Sequence, residues 1–235
     1  MSEDKGHLLL GNIPIPRNPR YQTLDIWRGA ACLIILFGHA AHYATVADET
    51  LSMVGQITLK MISLTGVAVP MFFVISGYCI AATCDATRRK PKAIGQFFYR
   101  RFIRIFPPYW ALTLITILIT VALNVFGQSD LTSDAFGFIP HPAALSWSQW
   151  LGNMTLTETW RPHLFGDSEL KIVGVSWTLC YEEQFYAVCG ILALLVPRRF
   201  FGGAALVTLL TLAMIPFWGT AIDGFFFDGR WIMFA

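Results

Sequence analysis

Long apolar stretches recur along this chain, and they constrain its fold more than any other feature. Each of the five stretches has the roughly 20 apolar residues that a helix needs to cross the hydrocarbon core of a bilayer. Only 14% of the 235 residues are charged, whereas a soluble domain carries about 25%. The sequence therefore predicts an all-α, polytopic bundle of transmembrane helices. The predicted spans cover residues 24–46, 51–83, 107–126, 173–196 and 203–219, and a sixth span begins at residue 225.

Prolines mark two of these predicted spans. The second span is too long for one straight crossing and has Pro70 in its middle, so we expect a kink or a break there. The third span opens with Pro107 and Pro108, a position that suits the first turn of a helix. The sequence therefore predicts that the third helix begins at this proline pair.

The distribution of basic residues predicts the orientation of the bundle. With a cytoplasmic N-terminus, the inner segments hold twelve of the seventeen Lys and Arg residues, and the outer loops hold three. Lys and Arg accumulate in the cytoplasmic loops of membrane proteins. We therefore expect a cytoplasmic tail over residues 1–23, a cytoplasmic segment over residues 84–106 and an extracytoplasmic loop over residues 127–172.

Three ionisable residues fall on one face of the first span. Arg28 and His39 are eleven residues apart, which places them within about 20° of each other and about 16 Å apart along the helix axis. Asp25 lies on the same face, one turn before Arg28. Each ionisable group in a bilayer raises the free energy of membrane insertion by roughly 2.5 kcal/mol or more. A span with three such groups on one face therefore indicates a role in chemistry or transport. A neutral imidazole is a suitable proton acceptor, although a hydrogen bond to a neighbouring helix is the structural alternative.

Two adjacent carboxylates lie near the middle of the fourth span. The motif is Trp177–Tyr186, WTLCYEEQFY, and its carboxylates are Glu182 and Glu183. Adjacent helical residues point about 100° apart, so at most one of them faces a given site. A carboxylate at this depth needs a wet cavity or a cation, and pairing with a transmembrane arginine is the structural alternative.

Two further motifs flank the second and third spans. The segment Gln96–Pro107, QFFYRRFIRIFP, is basic and aromatic and is typical of an interfacial amphipathic helix. Arg101 and Arg104 are three residues apart and can act on one anion together. Acidic lipid headgroups and a phosphorylated ligand are both suitable anions. Ser76 and Gly77, near the inner end of the second span, permit close helix approach.

In this order, the four motifs resemble the acyltransferase 3 family, the bacterial integral-membrane O-acyltransferases that act on polysaccharides and related glycans. The resemblance rests on an Arg and a His eleven residues apart, an FFxxSG second span, an RxxR pair and a W-T-L-x-x-E-x-Q-F-Y fourth span. It implies that His39 is the catalytic base and that Arg28 and Glu182 act with it. It further implies that Arg101 and Arg104 bind substrate, on the acyl-CoA side. The other expected substrate-binding residues are Asp25, Ser76 and Gly77.

The resemblance also implies an activity and a location. Such an enzyme moves an acyl group, with acetyl as the expected one, from cytoplasmic acyl-CoA to a hydroxyl of an extracytoplasmic glycan or glycolipid. It is a multi-pass protein of the bacterial inner membrane, so the lipid bilayer is a partner. Acetyl-CoA is its donor substrate, and no tightly bound cofactor and no nucleic acid are expected. The five cysteines lack metal-ligand spacing, so no metal is expected.

Family members usually contain more spans than this chain provides. Residues 24–235 are therefore expected to form a membrane acyltransferase domain that is incomplete at its C-terminal end. Two alternatives are a proton-coupled transporter, because intramembrane His, Glu and Arg also mark proton relays, and an inactive truncated fragment. Binding of CoA separates the enzyme from the transporter. The sequence leaves the acceptor and the oligomeric state undetermined.

Overall fold

A computed structural model of the chain describes residues 19–46, 52–88, 91–128, 139–217, 224–225 and 228–234. The described residues form α-helices joined by short 3-10 turns and loops, with no strand among them, and this confirms the all-α prediction for that part of the chain. The helices are α1 (Pro19–Val46), α2 (Met53–Thr87), α3 (Pro91–Val125), α4 (Trp147–Thr155), α5 (Arg161–Phe165), α6 (Trp177–Leu195) and α7 (Phe200–Ala213).

The five predicted spans correspond to α1, α2, α3, α6 and α7. Among the described residues, α2 and the Ile94–Val125 part of α3 are each long and apolar enough to cross a membrane. The helices α6 and α7 meet at a bend of 116° and count as one further span if the pair is a single broken crossing. In α1 the apolar stretch Ile26–His39 is shorter. The described residues therefore contain two or three candidate spans by length and composition.

The prediction that the third helix begins at Pro107 is wrong. The helix α3 begins at Pro91 and continues through Pro107 and Pro108. The basic aromatic segment and the third span therefore form one continuous helix. Three aromatic side chains pack against one another across the proline pair. The ring centroids of Phe102 and Phe106 are 4.8 Å apart, and those of Phe106 and Trp110 are 5.6 Å apart. Aromatic contacts of this kind are favourable and can offset part of the cost of an internal proline.

The second helix is also continuous, because α2 runs from Met53 to Thr87 with Pro70 inside it. The described helix therefore has no break at Pro70, and a kink there stays a prediction. A membrane-spanning helix tolerates an internal proline where neighbouring groups satisfy the freed carbonyls. The helix α1 packs along α2.

The helix α6 packs against both α2 and α3 and positions most of the site described below. It runs antiparallel to α3, because Arg101 contacts Tyr186 while Phe98 contacts Gly190 further along. A Cβ at Gly190 would collide with the Phe98 ring. A larger residue at this position would therefore force the two helices apart.

The segment after α3 folds back along that helix. The Tyr109 hydroxyl donates to the carbonyl oxygen of Asn153 at 2.8 Å, and the Trp110 indole N–H donates to that of Met154 at 2.9 Å. These contacts lie at the middle of α3, and its last residue, Val125, lies about 24 Å further along the axis. Residues 139–172 are therefore packed structure rather than a loop beyond the end of the helix.

A buried ion network holds this segment in shape. Arg161 is 2% exposed and donates from Nε and Nη2 to the two carboxylate oxygens of Glu158, at 2.8 and 2.9 Å. It also pairs with Asp167, which accepts a hydrogen bond from Ser148. The Glu158 hydrogen bonds raise the pKa of Arg161. The Ser148 and Arg161 hydrogen bonds lower the pKa of Asp167. Removing one partner of such a network would leave an uncompensated buried charge.

Candidate active site

A cavity of about 590 Å³ lies between α1, α2, α3 and α6, and we refer to it as the central cavity. Four of the sequence-predicted site residues line it, although they are far apart in the chain. Its volume is within the range of small-molecule sites, and most of its remaining lining is apolar. The four predicted residues are Arg28 and His39 from α1, Arg104 from α3 and Glu182 from α6.

The helix α1 presents both of its predicted catalytic residues to the central cavity. Arg28 and His39 line the same wall, as their spacing along one helical face requires. The Arg28 guanidinium also lies 5.8 Å from the ring centroid of Phe72 on α2, within cation–π range. Asp25 lies in α1, but its side chain is outside the described part of the structure, as is that of His42.

Glu182 is held by a chain of contacts that crosses from α6 to α3. Its side chain is buried, and one carboxylate oxygen accepts a hydrogen bond from the hydroxyl of the buried Tyr186. The Arg101 Nη1 donates to that hydroxyl at 3.4 Å, and its guanidinium lies 4.9 Å from the Tyr186 ring centroid. The arrangement therefore holds the Glu182 carboxylate in a fixed position at the wall of the central cavity.

Glu183 differs from its neighbour. It is partly buried, and its Oε1 is a buried atom without a hydrogen-bond partner among the described residues. It is not among the residues that line the central cavity, whereas Glu182 lines it together with Thr178 and Tyr186. The two adjacent carboxylates therefore face different surroundings, as their angular separation on a helix requires.

Arg101 and Arg104 line a second, smaller cavity of about 310 Å³, which we refer to as the basic cavity. Arg100 also lines it, so three guanidinium groups surround one space. Arg104 is common to the basic and the central cavities. An anion in the basic cavity that contacts Arg104 would therefore border the central cavity.

Ser76 and Gly77 lie elsewhere. Neither is among the residues that line the central or the basic cavity. Ser76 is 2% exposed, and its hydroxyl has no hydrogen-bond partner among the described residues. A Cβ at Gly77 would collide with the carbonyl oxygen of Phe234. The structure therefore places this pair where α2 packs against the C-terminal residues.

Tyr186 and Trp177 were absent from the sequence-predicted site, yet both line the central cavity. Tyr186 is four residues after Glu182, and residues at this spacing are neighbours on a helix surface, so the sequence carried a signal for it. Trp177 also lines a third cavity, of about 440 Å³, near the start of α6. We refer to this space as the distal cavity.

Comparisons with known proteins agree with the motifs. Residues 21–234 match the acyltransferase domain family, acyltransferase 3. Acyltransferase MdmB of Streptomyces mycarofaciens is 28% identical over 174 residues, which cover 73% of this chain and 38% of that protein. The chain thus spans about two fifths of the length of this curated relative, and no solved structure matches it. With a family match over almost its entire length, the chain belongs to the acyltransferase 3 family.

Proposed function

We propose that this chain forms the catalytic part of a membrane O-acyltransferase. The proposed reaction moves an acyl group, acetyl in its simplest form, from cytoplasmic acyl-CoA to a hydroxyl of an extracytoplasmic glycan or glycolipid. The observation that carries the proposal is the convergence of Arg28, His39, Arg104 and Glu182 on one cavity. Membership of the acyltransferase 3 family supports acyl transfer in general.

The basic cavity is suited to the phosphates of the acyl-CoA donor. Arg100, Arg101 and Arg104 provide three permanent positive charges around it, and charge-assisted hydrogen bonds from arginine to phosphate are strong and directional. Because Arg104 also borders the central cavity, a donor anchored by its phosphates can extend its thioester toward His39. The apolar lining of the central cavity suits the uncharged acyl end.

In the proposed step, His39 accepts the proton of the acceptor hydroxyl as its oxygen attacks the thioester carbonyl carbon. The new C–O bond forms, the C–S bond breaks, and the CoA thiolate takes the proton from the imidazolium. Arg28 stabilises the negative charge that develops on the carbonyl oxygen. Direct transfer and transfer through an acyl-enzyme both fit these groups. Tyr186 holds the Glu182 carboxylate in position at the wall of the same cavity.

The proposed orientation places the N-terminus and the basic cavity on the cytoplasmic side. The twelve-to-three division of Lys and Arg supports it. Single cysteines placed in a cysteine-free background at Ser168 and Arg198 test it with an impermeant thiol reagent. We expect labelling of position 168 from outside and of position 198 from inside only, and the reverse pattern would contradict the orientation.

The proposed function is tested by His39→Ala in a version that includes any spans encoded downstream. Loss of a general base typically lowers a rate about 10² to 10⁴-fold, so labelled acetyl transfer from acetyl-CoA should fall by that amount with membrane insertion unchanged. The control is His141→Ala, since His141 is exposed outside the central cavity. A variant within a few-fold of the parent would disprove the assignment. Binding of acetyl-CoA to the parent distinguishes the enzyme from a proton-coupled transporter.

A further inference from the structure

The distal cavity lies at the start of α6 and takes no part in the chemistry proposed above. Three separate stretches of chain contribute to its wall. These are residues 159–171, the first turns of α6, and the C-terminal residues around Arg230. Its volume of about 440 Å³ is within the range of small-molecule sites, roughly 300 to 1,000 Å³.

The charges of the distal cavity are already paired with one another. Lys171 forms an ion pair with Glu169. Each of the three stretches supplies polar side chains to the wall of the cavity. Arg230 pairs with Asp228 and donates to the Tyr181 hydroxyl at 2.8 Å, while that hydroxyl donates to Asp228. An ionic ligand would have to displace a partner and leave a charge uncompensated. A neutral ligand with many hydroxyls can donate to the carboxylates and accept from the cations without this cost.

Lys171 and Glu169 present opposite charges to the same wall. The Lys171 side chain is 17% exposed and that of Glu169 is 42% exposed. Burial lowers the pKa of Lys171. Glu169 can therefore accept a hydrogen bond from a ligand, and Lys171 can donate one to it.

Trp177 connects this cavity to the chemistry. Its side chain lines both the distal cavity and the central cavity that contains His39 and Glu182. The two cavities therefore share this aromatic side chain as part of their walls. A ligand in the distal cavity that contacts Trp177 would border the central cavity.

We propose that the distal cavity binds the acceptor as a neutral, polyhydroxylated sugar unit, from which one hydroxyl reaches past Trp177 to His39. The proposal rests on the acyl-transfer function proposed above. It assigns acceptor recognition to Glu169, Lys171 and Arg230 and donor recognition to the basic cavity. The donor then approaches the central cavity from the basic cavity, near Tyr186, and the acceptor approaches it from the distal cavity, near Trp177.

Binding of simple sugars tests the proposal without requiring turnover. Saturation-transfer difference NMR on the full-length protein in detergent compares three neutral probes, methyl glucoside, methyl galactoside and N-acetylglucosamine, with glucuronic acid and glucosamine. We expect at least one neutral probe to bind more tightly than both charged ones. Lys171→Met and Glu169→Gln should each weaken that binding at least fivefold with unchanged melting temperature. The matched control is Arg198→Met, because Arg198 is exposed and lies at the other end of α6.

Three results would overturn the proposal: no neutral probe binds, a charged probe binds best, or both variants bind like the parent. Acetyl-CoA binding and acyl transfer, measured on the same samples, separate this outcome from failure of the proposed function. If the parent binds acetyl-CoA and transfers the acyl group, but Lys171→Met leaves the KM for the acceptor unchanged, only the distal site is disproved. Sugar binding without any CoA binding would disprove the acyl-transfer function and, with it, the role as acceptor site.

Discussion

The Tyr186 hydroxyl donates a hydrogen bond to the carboxylate of Glu182, one helical turn earlier on α6. Arg101 donates to the same hydroxyl from α3. Because Arg101 lines the basic cavity and Glu182 lines the central cavity, Tyr186 connects the proposed donor phosphates to the proposed reaction centre. Its hydroxyl fixes the position of the carboxylate.

We expect Tyr186→Phe to lower acyl transfer about 10- to 100-fold, because a hydrogen bond to a charged group contributes about 1.5–3 kcal/mol. The change keeps the ring that packs against Arg101 and removes only the hydroxyl. The measurement is the rate of labelled acetyl transfer by the full-length protein. Tyr78→Phe is the control, since Tyr78 is an exposed residue of α2. Activity within twofold of the parent would exclude the positioning role.

Glu182→Gln should abolish most of the activity, whereas Glu183→Gln should retain it. Glutamine keeps the size of the side chain and removes its charge, and only Glu182 lines the central cavity. Activity and the melting temperature in detergent are measured together for both variants. A large loss confined to Glu183→Gln would reverse the assignment. Parallel losses of stability and activity in both variants would make the pair structural.

Arg101→Ala and Arg104→Ala should each weaken acyl-CoA binding about 10- to 100-fold. Each charge-assisted phosphate contact contributes roughly 1.5–3 kcal/mol, and added salt should weaken binding by the parent for the same reason. The measurement is equilibrium binding of acetyl-CoA in detergent. Arg199→Ala serves as the control because Arg199 is exposed outside the basic cavity. Unchanged affinity in both variants would assign this part of α3 to binding of acidic lipids.

The network around Asp167 should make the stability of the 139–172 segment sensitive to acid. The hydrogen bond from Ser148 and the contact with Arg161 lower the pKa of Asp167 in the folded protein. The contribution of Asp167 to the stability of the folded protein is therefore fully present above the unfolded pKa of about 3.9. It is lost as the pH falls through the lower pKa of the folded state.

We therefore expect the parent to lose thermal stability as the pH is lowered below about 4, and we expect Asp167→Asn to lose less over the same range. Ser148→Ala removes one of the hydrogen bonds that Asp167 accepts and raises its folded pKa, so the acid dependence of this variant should fall between those of the parent and Asp167→Asn. Melting temperatures between neutral pH and pH 3 measure this effect. Identical pH profiles for the parent and Asp167→Asn would disprove it.

The sequence by itself determined the features that depend on local periodicity. An amphipathic or apolar run of residues indicates a helix. A spacing of eleven residues then places Arg28 and His39 on one face of that helix. Both residues indeed line the central cavity. The difference between Glu182 and Glu183 follows from the same helical rotation. These inferences require only neighbours within one helix, and the motif order was enough to indicate the family.

Only the tertiary structure decided what depends on contacts between distant residues. The helix α3 continues through Pro107, although local preference favours a helix start at that proline. Just after the proline pair, Tyr109 and Trp110 donate hydrogen bonds to the distant residues 153 and 154. Gly77 packs against Phe234, so its close approach is to the C-terminal residues. Arg101 reaches Tyr186 from another helix, and the distal cavity is assembled from three separate stretches. Side-chain packing between elements sets such contacts, and the periodicity of a single segment carries no information about its distant partners.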